Sequence, residues 1–79
     1  MSVTDKYYVL QTEIDGRKFY MTMSYGLTDD IRRAAKCANK LTASFLKEDY
    51  YIKFKISGKY DAKRDFKTIL VNVTYEWEE

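Results

Sequence analysis

Leu10-Gln11-Thr12-Glu13-Ile14-Asp15-Gly16-Arg17-Lys18-Phe19-Tyr20-Met21 is the stretch from which the fold can be worked out. Asp-Gly between runs of alternating polarity marks a hairpin, because a two-residue type I′ turn needs positive φ at both central positions. Closing the chain on Asp15-Gly16 pairs Ile14 with Arg17, Glu13 with Lys18, Thr12 with Phe19 and Leu10 with Met21. One face then carries Tyr8, Leu10, Ile14, Phe19, Met21 and Met23. The other carries Tyr7, Gln11, Glu13, Lys18, Tyr20 and Thr22. A one-residue slip would mix the two sets, so the pattern specifies its own register.

Beyond Gly26 the period changes. Thr28 is a fair N-cap, and Asp29 and Asp30 put negative charge where a helix dipole favours it. Ile31, Ala34, Ala35, Ala38, Leu41 and Phe45 recur at helical spacing and are expected to form the buried stripe. Arg32, Arg33, Lys36, Lys40 and Lys47 would fall on the opposite side. After Glu48-Asp49, Ile52, Phe54 and Ile56 alternate with Tyr51, Lys53 and Lys55, which predicts a strand over 50–57. Gly58 ends it, and 59–65 reads as a polar loop. A last strand sets Ile69, Val71, Val73, Tyr75 and Trp77 on one face and Leu70, Asn72, Thr74 and Glu76 on the other. The expectation is an α+β fold, ββαββ: a four-stranded, mostly antiparallel sheet with one amphipathic helix packed on one face.

The chain has 79 residues, enough for a single domain over 1–79. It holds 14 Lys and Arg, 12 Asp and Glu and no histidine, a net charge of +2. Without histidine there is no Ser-His-Asp or Cys-His arrangement and no imidazole base. One cysteine cannot form an internal disulfide, and Cys37 reads as an ordinary thiol in a reducing compartment. No phosphate-cradling glycine loop or metal-binding spacing is present. The reading is a protein that is not an enzyme, with no cofactor and no metal. No signal-like segment or membrane span is visible, so no membrane partner is expected and a cytoplasmic location is.

Three surfaces could carry function. The net charge divides into −2 over 1–30, +7 over 31–67 and −3 over 68–79. A basic patch of Arg32, Arg33, Lys36, Lys40, Lys47, Lys63 and Arg64 would suit phosphates or an acidic protein, although such a stripe is also ordinary solvated surface. Tyrosine supplies eight residues, and Tyr7, Tyr20, Tyr51 and Tyr60 fall where a core does not require them. They suit a protein interface or base stacking, and tyrosine is also simply a good strand residue. The strand over 69–75 is long and β-branched; either it lies centrally or it pairs with another chain, by homodimerisation or strand addition.

Lys6-Tyr7-Tyr8-Val9-Leu10, Ile14-Asp15-Gly16-Arg17-Lys18-Phe19-Tyr20 and Thr28-Asp29-Asp30-Ile31 ahead of a basic segment resemble small accessory proteins of bacteriophages and mobile elements of Gram-positive bacteria. The likeness covers about the first half of the chain, and its motifs are structural rather than catalytic. It implies a compact protein that binds stoichiometrically and modulates or inhibits a host or defence protein, in the host cytoplasm if phage-encoded. The alternative is a small nucleic-acid-binding module with the basic residues on phosphates and Tyr51 or Tyr60 stacking on bases.

Overall fold

A computed structural model describes residues 1–56 and 65–78. In chain order the elements are β1 (Ser2–Ile14), β2 (Arg17–Met21), β3 (Leu27–Thr28), a 3-10 turn (Ile31–Arg33), α1 (Lys40–Ile56) and β4 (Lys67–Glu76). The four strands form one antiparallel sheet in the order β3-β2-β1-β4, with one α-helix, so the α+β class holds.

The hairpin closes in the expected register, Ile14 opposite Arg17, Glu13 opposite Lys18 and Thr12 opposite Phe19. Asp15 at φ 52° and Gly16 at φ 79° supply the two positive angles of the turn. The next loop is held by Thr22, whose backbone N–H donates to Gly26 O at 3.0 Å and whose Oγ1 accepts from the Gly26 N–H at 3.1 Å. Tyr25 sits there at φ 62°, a left-handed angle costly for a bulky residue. Packing of its ring against the core offsets that strain.

The middle of the chain departs from the expected ββαββ order. The cap is Asp30 rather than Thr28: its carboxylate accepts from the Arg32 N–H at 3.0 Å, no acidic residue lies in the turn that follows, and that turn is a single 3-10 turn. The chain then extends, and Cys37 exchanges two backbone hydrogen bonds of 2.8 Å with Tyr8, beside β1. The helix begins afterwards, where Asn39 Oδ1 accepts from the Thr42 N–H at 2.8 Å. Once nucleated there it runs through 50–56, so the strand expected over 50–57 is helical as far as Ile56. Adding residues to an existing helix carries no new nucleation cost, which outweighs a short alternating pattern.

α1 lies on the face of the sheet that carries Leu10 and Met21. Those two side chains, both fully buried, form the core with Cys37, Ala43, Tyr50 and Phe66. Tyr50 meets Phe66 edge-on, with ring centroids 5.1 Å apart. Of the helical stripe expected to be buried, Ala34 and Ala35 are buried, whereas Ala38, Leu41 and Phe45 are exposed. Beyond Tyr8 the sheet narrows. Residues 2–7 of β1 pair with 71–76 of β4, from Ser2 opposite Glu76 to Tyr7 opposite Val71, and reach out as a two-stranded arm. The molecule is correspondingly elongated, 54 × 27 × 17 Å.

Candidate functional site

The expected interface tyrosines separate. Tyr7 and Tyr20 share the sheet face opposite α1, both half-buried, and Gln11 Nε2 donates to the Tyr20 hydroxyl at 3.3 Å. Alternation along β4 places Ile69, Val71, Val73 and Tyr75 on that same face. Tyr51 belongs elsewhere, on α1 beside the core, its hydroxyl donating to Asp65 Oδ1 at 3.1 Å. Its expected place on a strand face falls with the strand itself. Tyr60 lies outside the described residues.

The basic residues do not form one helical stripe. Arg32 and Arg33 sit on the 3-10 turn, Lys36 on the extended segment and Lys40 at the start of α1. Arg32 meets Asp30 at 3.0 Å through both Nε and Nη2, and Arg33 Nε approaches the same carboxylate at 3.9 Å. Hydrogen bonds from Arg32 hold the Asp30 carboxyl below its usual range, and Asp30 raises the guanidinium in return. Lys36 Nζ stands 5.6 Å from the centroid of the Tyr7 ring, a cation–π distance that joins one expected basic residue to one expected tyrosine. Lys47 is half-buried and tethered, 3.0 Å from Phe66 O and 3.0 Å from Asp65. With Tyr51 and the Phe66 N–H it gives Asp65 three donors, which lower its pKa and clip α1 to the start of β4. Lys63 and Arg64 lie outside the described residues.

A further surface lies on α1, outside the three that the sequence pattern singles out. Leu41, Phe45 and Ile52 are 64%, 58% and 51% exposed. At 100° per residue they fall within about 40° of one another, and on the side of α1 away from Ala43 and Tyr50. Spacings of four and seven are visible in the sequence, but they look the same whether a stripe faces the core or solvent.

A concavity lined by Met1, Ser2, Glu76, Trp77 and Glu78 lies at the tip of the arm, remote from the core. Among the described residues no three His, Cys, Asp or Glu side chains converge as metal ligands. Cys37 is buried, and burial pushes its thiol pKa up, away from the reactive thiolate. No described helix is long and apolar enough to cross a membrane. No known protein family, curated protein or solved structure matches the chain.

Proposed function

We propose that this protein is a non-catalytic binding module that recognises another protein and modulates or inhibits it, in the cytoplasm (the host's, if it is phage-encoded), as its resemblance to phage accessory proteins implies. The observation that carries the reading is the outer face of α1. Leu41, Phe45 and Ile52 stand more than half exposed on one side of a helix whose other side makes the core. Large apolar side chains grouped on a helix face are a costly surface for a solitary protein and a common mode of docking into a groove. Glu48, between Phe45 and Ile52 on that side, favours a groove with a basic rim.

Phosphate binding has less geometric support. Arg32 and Arg33 share Asp30, and Lys47 is engaged by Asp65 and Phe66. The deciding experiment is affinity capture from bacterial lysate with wild-type protein, Phe45→Glu, and a charge-neutralised Arg32→Gln/Lys36→Gln variant. Wild type should retain one protein in stoichiometric amount after nuclease treatment, and Phe45→Glu should lose it while keeping its circular dichroism. Capture that disappears with nuclease or follows the basic variant would transfer the function to nucleic acid. Unchanged capture by Phe45→Glu would reject the α1 face.

A further inference from the structure

We propose that the outer edge of β4 pairs, antiparallel, with the β4 of a second copy of this chain, joining two sheets into one of eight strands. The inference is independent of the α1 face and begins with the direction of the backbone groups. Met1 and Trp77 exchange hydrogen bonds of 3.0 and 3.1 Å across the arm. Tyr8 instead turns its N–H and C=O away from β4, to Cys37. In an antiparallel ladder bonded and non-bonded pairs alternate. The odd-numbered residues of β4 therefore bond to β1, while Thr68, Leu70, Asn72, Thr74 and Glu76 direct theirs outward. Among the described residues no strand receives them, because β4 is the last in the sheet.

Edge strands that remain single are usually short, or guarded by charge, proline or a bulge. β4 is ten residues long, and from Thr68 to Tyr75 it has neither charge nor proline. The other free edge of the arm, residues 2–6 of β1, is shorter and carries Asp5 and Lys6. The contrast singles out β4.

The charge pattern of β4 selects the partner. Lys67 stands at one end and Glu76 and Glu78 at the other. A second copy running antiparallel sets each Lys67 across from Trp77, at the same end of the seam as the Glu76 and Glu78 of its mate though on the other face, whereas a parallel copy would gather like charges at each end. The register centred on Asn72 engages all five outward-facing residues, Asn72 opposite itself, Leu70 opposite Thr74 and Thr68 opposite Glu76. On the face away from α1 it sets Ile69 against Tyr75 and Val71 against Val73, cross-strand pairs of a favourable kind. Tyr75, 52% exposed in the single chain, gains an apolar neighbour.

Sedimentation across the micromolar range, together with two substitutions at the axis, tests the pairing. Wild type should sediment as a dimer. Asn72→Pro removes an outward N–H but no bond to β1, so it should weaken the dimer by about tenfold or more and keep the strand content. Asn72→Cys should oxidise to a covalent dimer across the two-fold axis, and Leu70→Cys, which faces Thr74, should not. A wild-type monomer throughout, or an Asn72→Pro variant as dimeric as wild type, would overturn the proposal. Equal cross-linking at both positions would exclude this register. Phe45→Glu should leave the dimer unchanged, which separates this result from the fate of the α1 face.

Discussion

The two ends of β1 obey the same local rules and meet opposite surroundings. Its C-terminal half carries Leu10 between Met21 and α1, where six buried residues close a core. Among the described residues its N-terminal half has β4 as its only strand partner, and Val3 is 50% exposed there. A two-stranded ribbon is marginal in water without a third strand or a packed layer. The core therefore explains why the chain folds, and the arm shows where the fold is unfinished. The free edge of β4 and the outer face of α1 are the places where the proposed second copy and protein partner would each cover what the single chain leaves open.

The largest test of that contrast compares side chains from the two halves. Leu10→Ala should cost about 2–5 kcal/mol. A core of this size rarely supplies more than ~3–5 kcal/mol, so the variant should be largely unfolded. Val3→Ala should cost less than about 1 kcal/mol, since its side chain is half exposed already. Urea denaturation monitored by circular dichroism measures both, and equal losses would abolish the distinction.

The hairpin end of this architecture is legible because its cause is local. Asp15-Gly16 dictates a turn, the turn dictates the register, and alternation then places Tyr7 and Tyr20 on one face. The helix boundary is not local. Asp30 and Asn39 are both adequate caps, and the choice between a single turn and a long helix rests on the bridge from Cys37 to Tyr8, 29 positions away. That one decision moved Tyr51 from a strand face to the core and turned Leu41 and Phe45 outward. Their spacing was readable all along, while the direction they face depends on which helix side carries Ala43 and Tyr50.

A smaller effect tests the clip between α1 and β4. The carboxyl of Asp65 is held below its ordinary 3.8 by Lys47, Tyr51 and the Phe66 N–H. A depressed carboxylate stabilises the fold at pH above about 3.8, and the contribution is lost as pH falls through the lower, folded-state value. Asp65→Asn should therefore lower the unfolding free energy at pH 7, measured by urea denaturation, by no more than about 1 kcal/mol for so exposed a pair. The difference from wild type should shrink in acid below that folded-state value. A gap that persists there would mean that the geometry of the side chain matters rather than its charge.

The smallest effect is expected on the outside of α1. Leu41→Lys should change stability by less than about 0.5 kcal/mol, because a 64% exposed leucine contributes little to the core. A loss comparable to that of Leu10→Ala would place Leu41 in the core and withdraw it from the docking face.

The most direct test of the unfinished arm is amide hydrogen exchange along β4 at concentrations where the protein associates. Pairing with a second copy should protect Leu70, Asn72 and Thr74 as well as Ile69, Val71 and Val73, with protection at the first three fading on dilution. Rapid exchange at Leu70, Asn72 and Thr74 at every concentration, beside protected odd-numbered neighbours, would show that the edge stays open and contradict the account.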